Sequence, residues 1–299
     1  MCESAYPRVL SIQSHVVSGY VGNKSAVFPM QLLGLEVDFI NSVQFCTHTG
    51  YKKLTGQVLT EKDLRDLMDG LIENEIDLYS YLLTGYIGAA SFLQEVAEVV
   101  KHLKTKNPKL IYVCDPVIGD NGKIYVPQEL IPIYKEVVIP LATILTPNLF
   151  EAQLLTDLQI KTPDDIWKAC DVLHGKGCEI VVISSAEFEG VPELHVFASS
   201  IRDKNKQKFT LEVPKFPIAF IGTGDVFASL MLSWMHKTKG DLKTSLERTI
   251  ASLQAILKRT ACGIKEGSTP TSREKELRLV QSKQDIENPK VTIEARAVQ

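Results

Sequence analysis

The 299-residue sequence predicts an α/β fold: a mostly parallel central sheet flanked by helices on both faces. Three observations point there. Short apolar runs alternate with longer amphipathic ones over roughly the first 185 residues, as strand–helix repeats do. The early runs read as strands buried on both faces, the mark of a parallel sheet covered by helices. No Pro/Gly/Ser-rich linker interrupts the chain, so residues 1–299 are expected to form a single domain.

In chain order, strands are expected over 8–13 and 37–43. Residues 61–73 follow as a helix, with Leu64, Leu67, Met68 and Leu71 on one face and acids in the first turn. A strand at 81–84 leads to a helix over 91–103, with Ser91 as its N-cap. Then come a strand at 110–114, a helix over 128–138 that carries Pro132 early, a strand at 142–145 and a short helix at 148–155. Pro163 opens a helix over 164–173, since proline suits a first helical turn, and 179–183 is a strand. Residues 194–198 and 209–213 alternate like antiparallel strands around a polar hairpin loop at 202–208. Two long helices are expected over 223–235 and 242–262. After a break at 267–270, a helix runs through 284 and a last strand covers 291–295.

Composition narrows the function classes. Apolar residues make up 44% and charged residues 23%, ordinary for a soluble globular chain. Net charge is −3, so no basic face calls for nucleic acid as a partner. The six cysteines (Cys2, Cys46, Cys114, Cys170, Cys178 and Cys262) are scattered and form no C-x-x-C pair, and so few in so long a chain argue against a disulfide framework. Cys114 lies in an apolar run and reads as a small buried hydrophobe. Residues 1–8 lack a signal-peptide core, and no apolar run reaches the roughly 18 residues of a membrane helix. A cytoplasmic protein with no membrane partner is expected.

In a parallel sheet, ligands bind beyond the carboxyl ends of the strands. Several expected strands end in small polar or acidic residues: Ser14, then Thr47-His48-Thr49, Thr84-Gly85-Tyr86, Asp115, Thr146-Pro147-Asn148 and Ser184-Ser185. One such ending is an ordinary turn; six on one edge make a site. The most informative segment is Gly222-Thr223-Gly224-Asp225, running into an apolar helix. Its glycines admit close approach, and the first turn offers unpaired N–H groups to an anion. Asp225 beside that anion can take a proton from an attacking hydroxyl. Taken alone, the tetrapeptide is equally a loop with an acidic cap.

Asp115-Pro116 with Gly119-Asp120 offers two carboxylates to a hard cation such as Mg²⁺, or is an Asp/Gly/Pro turn. Asn148 caps the next helix in the plainest reading, while Glu151, one turn in, is in reach of a metal-bound water. Asn121-Gly122 is either a lid tip or an exposed turn. His15 and His48 lie near strand ends, suited to ring recognition; His102, His174, His195 and His236 read as surface or capping residues. H-E-x-x-H, G-x-S-x-G, Walker A and the protein-kinase H-R-D and D-F-G motifs are all absent, which excludes zinc hydrolases, serine esterases, P-loop kinases and protein kinases.

Together these segments resemble the ribokinase-like superfamily and, within it, the pyridoxal kinase family. The resemblance spans nearly the whole chain. It rests on Val9-Leu10-Ser11-Ile12-Gln13-Ser14-His15-Val16, Gly19-Tyr20-Val21-Gly22-Asn23, Asn41-Ser42-Val43-Gln44-Phe45, His48-Thr49-Gly50-Tyr51 and Leu83-Thr84-Gly85-Tyr86. It continues through Cys114-Asp115-Pro116-Val117-Ile118-Gly119-Asp120, Thr146-Pro147-Asn148 and Gly222-Thr223-Gly224-Asp225. The last motif belongs to the superfamily; the first two are specific to the pyridoxal branch.

The resemblance implies ATP-dependent phosphorylation of the 5′-hydroxyl of pyridoxal, pyridoxine or pyridoxamine by a cytosolic homodimer. It assigns Asp225 as base and Gly222, Thr223 and Gly224 as the anion hole. It puts Ser14, Thr49, His48 and Tyr86 around the pyridine ring. Asp115, Asp120, Thr146 and Glu151 would surround the cations, one Mg²⁺ with ATP and one K⁺ or Na⁺. Asn148 and Ser184, with Thr223 and Gly224, would follow the phosphates, and the loop from Asp120 to Tyr125 would fold over ATP. Ser184 stands where many relatives carry Thr, and residues 185–210 form a shorter stretch than in animal relatives. Two rivals stay open: the same fold acting on a hydroxymethylpyrimidine or a sugar, and a non-catalytic metabolite-binding protein.

Overall fold

The computed structural model describes residues 6–202, 206–265 and 267–298. Its first strand shows how the sheet is built. In β1 (Arg8–Val16), Val9 enters one apolar core while Leu10 and Ile12 enter another on the opposite face. This is the period-two alternation of a strand covered on both sides. Tyr112 and Val113, and later Val181 and Val182, divide between the same two cores.

The remaining elements follow in order. Helix α1 (Asn23–Leu32) leads to β2 (Glu36–Phe45) and β3 (Gly56–Val58), then α2 (Glu61–Glu73), β4 (Tyr81–Thr84) and α3 (Ala90–Lys106). Next are β5 (Ile111–Cys114), the small hairpin β6 (Gly119–Asp120) and β7 (Lys123–Ile124), α4 (Leu130–Ile133) and β8 (Ile144–Leu145). Helices α5 (Leu149–Thr156) and α6 (Pro163–Gly175) precede β9 (Ile180–Ala186), β10 (Leu194–Ser200) and β11 (Gln207–Val213). The chain closes with α7 (Thr223–Lys237), α8 (Leu242–Ala261), α9 (Lys283–Glu287) and β12 (Arg296–Ala297).

The sheet order is β12-β11-β10-β9-β8-β5-β4-β1-β2-β3. Strands β2, β1, β4, β5, β8 and β9 are parallel neighbours, and the antiparallel pairs lie at the two edges. The six parallel strands therefore deliver their carboxyl ends to one edge. Helices α2 to α6 cover one face; α1, α7, α8 and α9 cover the other. The cysteines Cys46, Cys114, Cys170, Cys178 and Cys262 are free thiols, and Cys114 is fully buried as expected. Cys2 lies outside the described residues. Among the described residues, no helix is long and apolar enough to cross a membrane.

Several expectations need correction. Helix α1 was not expected, because its buried face carries Asn23, Ser25 and Pro29 instead of an apolar stripe. The residue capping α3 is Ala89, not Ser91, whose hydroxyl donates to Glu61 on α2. Over 128–138 a regular helix does not form. Four α-helical residues containing Pro132 pass into a π turn (Tyr134–Val138) and a 3₁₀ turn (Ile139–Leu141). Proline lacks the N–H that would keep the ladder regular. After residue 272 the chain makes turns that bury Leu277 and Leu279, and only α9 is α-helical. The last strand is Arg296–Ala297, paired with β11, not 291–295. Within the expected hairpin loop, residues 203–205 lie outside the described residues; the strands beside it pair from Ser200↔Gln207.

Candidate active site

The N-terminus of α7 lies at the centre of the carboxyl edge. Its cap is Gly222, left-handed at φ 81°, with no side-chain cap. A Cβ there would lie 2.2 Å from the Tyr20 carbonyl oxygen, so only glycine fits. Helix geometry leaves the first N–H groups of α7 without intrahelical acceptors, an anion site facing the cleft. Asp225 in the first turn is half-buried and accepts a hydrogen bond from the backbone N–H of Gly22. Burial raises its carboxyl pKa to about 6, against the pull of that bond. A base of that strength is charged at neutral pH yet basic enough to take a hydroxyl proton as the phosphoryl group moves.

Gly22 ties this centre to the first strand. A Cβ at position 22 would lie 2.0 Å from the carbonyl oxygen of Ser14 and 2.4 Å from its Oγ. Ser14 sits where the β1–β2 register shifts, between Gln13 and His15. The start of α1 is anchored by a buried polar network. Asn23 accepts from Ser11 Oγ (2.7 Å) and donates to the Ile40 carbonyl and Asn41 Oδ1, both at 2.9 Å. The sequence carried the two glycines and Asn23 only as pieces of a motif. The signal for their role was the pair of glycines directly after a buried strand.

On the other side of α7 are the acids. Position 224 is close to Asp115: a Cβ there would stand 3.6 Å from Oδ2. Asp115, just beyond β5, is buried, and among the described residues its carboxylate accepts only a long hydrogen bond from Thr146 Oγ1 (3.4 Å). Burial, then the charges of Glu151 and Asp225, push its carboxyl pKa well up. Glu151 is also buried and its pKa also raised, chiefly by burial. Its oxygens are already engaged: Oε1 accepts from the N–H of Ile118 (2.9 Å) and Gly119 (3.3 Å), and Oε2 from Asn148 (2.9 Å).

Asn148 is engaged as well. Its Oδ1 accepts from Glu151 N–H at 2.9 Å and its Nδ2 donates to Gly119 O at 2.7 Å. The two residues form a reciprocal capping box on α5. The capping reading of Asn148 thus holds, with one of the two Nδ2 N–H groups engaged. Asp120 is exposed on the β6–β7 hairpin, near enough for its charge to raise the Glu151 pKa, and Tyr125 just beyond is 52% exposed. Among the described residues, no three His, Cys, Asp or Glu side chains cluster to hold a metal ion. The donor set still fits a hard cation that brings its own ligands. Asp115 is a buried carboxylate short of hydrogen bonds beside two others, a charge that a cation would relieve.

The ring side is built differently. Among the described residues, neither the Ser14 nor the Thr49 hydroxyl has a protein partner, which leaves both for a ligand. His48 is buried, and its Nδ1 accepts from Gly50 N–H at 3.1 Å. The other nitrogen, Nε2, therefore carries the proton. Tyr86 is half-buried, its backbone held by Ser42 Oγ. Ser184 is half-buried at the end of β9, its N–H bonded to Pro147 O beside the acidic pair.

The comparisons agree with this geometry. The sequence model of the phosphomethylpyrimidine kinase family matches residues 78–272. Over 291 residues the chain is 50% identical to the pyridoxal kinase of Arabidopsis thaliana, covering 96% of this chain and 94% of that one. Over 304 residues it is 45% identical to the human pyridoxal kinase, covering 96% and 97%. The structure resembles that of pyridoxal kinase from Leishmania donovani in complex with ADP and pyridoxamine. There the TM-score is 0.91 at 32% identity, covering 98% of this chain and 99% of the other. With its sheet order and its relatives in agreement, the chain belongs to the pyridoxal kinase family of ribokinase-like folds.

Proposed function

We propose that this chain transfers the γ-phosphoryl group of ATP to the 5′-hydroxyl of pyridoxal, and also of pyridoxine and pyridoxamine, in vitamin B6 salvage. The observation that carries the reading is Asp225, half-buried under Gly22 in the first turn of an uncapped helix. The hydroxyl proton passes to the Asp225 carboxylate. The hydroxyl oxygen bonds to the γ-phosphorus, and the bond to the β–γ bridging oxygen breaks to release ADP. The N–H groups at Gly222, Thr223 and Gly224 hold the charge on the transferring group.

Ser14 and Thr49 hold the ring by hydrogen bonds, with His48 and Tyr86 as its walls. Asp115, with Thr146 and through water Glu151, would hold a Mg²⁺ ion. That ion, with a K⁺ or Na⁺, supplies neutralisation of the phosphate charges. Asp120 and Tyr125 stand on the hairpin suited to close over ATP; Ser184 lines its phosphates. The chain acts as one kinase domain in the cytoplasm. A homodimer is part of the same proposal. Its support is an apolar groove of about 680 Å³ beside the β2–β3 edge, lined by Val37, Phe39, Leu59, Leu67 and Leu71. Phe39 and Leu67 are each 48% exposed there.

The test is formation of pyridoxal 5′-phosphate from pyridoxal and MgATP by the purified protein, with and without K⁺. Turnover that K⁺ accelerates is expected. Folded protein inactive on all three vitamers in K⁺ would overturn the reading. The family match at 78–272 favours a second acceptor, a hydroxymethylpyrimidine. That match leaves out Ser14, His48 and Thr49, the part of the site that selects the acceptor.

A further inference from the structure

Glu276 lies in the turn-rich segment after α8, more than 50 residues beyond the reaction centre in sequence, yet two loops meet at its carboxylate and a third pairs with its backbone. Tyr51 Oη donates to Glu276 Oε1 at 2.6 Å. His48 Nε2, the protonated nitrogen, lies 3.6 Å from the same oxygen. The His48 and Tyr51 rings are 4.8 Å apart, tilted over one another. A Cβ at Gly19 would stand 3.0 Å from Oε1, so the β1–α1 loop rests on it too. Four residues earlier, Ser272 Oγ donates to the Gly50 carbonyl at 2.6 Å.

The backbone of the same segment reaches the anion loop. Glu276 forms a parallel bridge with Ile221, the residue directly before Gly222. A Cβ at Gly50 would lie 3.2 Å from Ile221 Cδ1. The ring-side loop at 48–51 and the anion loop at 221–224 thus touch and meet at one residue, the first through the Glu276 carboxylate and the second through the Glu276 backbone. An open groove of about 570 Å³, lined by Thr47, Tyr51, Lys53, Ser272 and Arg273 among others, borders the loop on one side. The polar ties from Glu276 and Ser272 therefore hold the loop on its other side.

We infer that Glu276 is a positioning residue: it straps the ring-binding loop at 48–51 to the α7 anion loop and so sets the acceptor hydroxyl against Asp225. The inference rests on His48 and Thr49 forming the ring side of the site. Burial lowers the His48 pKa, opposed by Glu276, and raises that of Tyr51 to about 12, with Glu276 adding to the rise. The strap therefore rests on one hydrogen bond, donated by neutral Tyr51, with neutral His48 beside the same carboxylate.

Steady-state kinetics of Glu276→Ala, Glu276→Gln and Tyr51→Phe test it. Glu276→Ala is expected to raise KM for pyridoxal about tenfold, the scale of a hydrogen bond to a charged group, with KM for MgATP within about twofold. Glu276→Gln should recover most of the loss, because its amide oxygen still accepts from Tyr51. Tyr51→Phe, the milder change, should raise pyridoxal KM about threefold and decides the matter if Glu276→Ala fails to fold. An unchanged pyridoxal KM in folded Glu276→Ala or in Tyr51→Phe, or an equal rise in both KM values, would overturn the strap. Ser14→Ala separates the two levels. If it raises pyridoxal KM and the strap variants do not, the ring site stands and the strap falls; if none moves it, both fall.

Discussion

The two flanks of Asp225 are held by opposite means. On the nucleotide side, Glu151 takes three backbone N–H groups, and Asn148 spends both ends of its amide on α5 and Gly119. On the ring side, the Ser14 and Thr49 hydroxyls meet no protein partner among the described residues, and glycines at 19, 22 and 50 let the loops come close. Glu151 and Asn148 are thus satisfied internally and hold that flank's shape, while Asp115 beside them stays short of donors. The ring flank keeps its polar groups for the ligand. Unequal investment of this kind suits a site that meets a constant nucleotide on one side and must choose an acceptor on the other.

The largest effect should come from the residue between the flanks. Asp225→Asn keeps the shape and removes the base, so kcat should fall by about 10²–10⁴ with both KM values little changed. Unchanged turnover would remove Asp225 from the reaction.

Next comes the internally satisfied flank. Glu151→Ala relieves a buried like charge on Asp115 but strands three N–H groups, each costing about 1–3 kcal/mol when left unpaired. The stranded donors should win. A net loss of about 2 kcal/mol is expected, read as a Tm lower by roughly 4–8 °C, and KM should rise for MgATP more than for pyridoxal. A more stable variant would mean that charge repulsion dominates the flank.

The pH profile is a third test. A base with its pKa at about 6 is protonated and idle below that value, so kcat/KM for pyridoxal should climb as pH rises through about 6 and level off above. Asp225→Asn should lose that limb. The raised pKa also carries a stability cost. It builds between 3.8, the ordinary Asp value, and about 6, and is complete above. At pH 8 the unliganded Asn variant should therefore be the more stable protein, by on the order of 1 kcal/mol.

The smallest effects belong to the ring flank. Ser14→Ala or Thr49→Val removes one ligand hydrogen bond, and pyridoxal KM should rise about two- to tenfold while KM for MgATP stays put. A rise in the MgATP value instead would mean that the flanks are not independent.

Most of the sheet and its carboxyl edge were legible in the sequence, because the central parallel strands are apolar runs with small polar or acidic residues at or just beyond their ends. Asp225, Asp115 and the Asn148–Glu151 box could be named for the same reason: strand ends and helix starts have local signals. What was illegible depends on contacts far apart in the chain. Helix α1 hides because polar Asn23 and Ser25 interrupt its buried face, and Asn23 finds its partners on β1 and β2. Gly22 matters only because Ser14 and Asp225 close on it from either side. Glu276 sits in a charged tail whose pattern suggested a surface helix, and its partner Tyr51 is 225 residues away.

The most direct test of this account is the ratio of kcat/KM for pyridoxal to that for a hydroxymethylpyrimidine, measured on the unaltered protein with saturating MgATP. If the N-terminal strand ends select the acceptor, pyridoxal should be favoured by about a hundredfold or more, because unpaired polar groups would penalise the wrong ring. A ratio near one, or reversed, would contradict the claim that Ser14, His48 and Thr49 direct the chemistry at Asp225 toward a B6 vitamer.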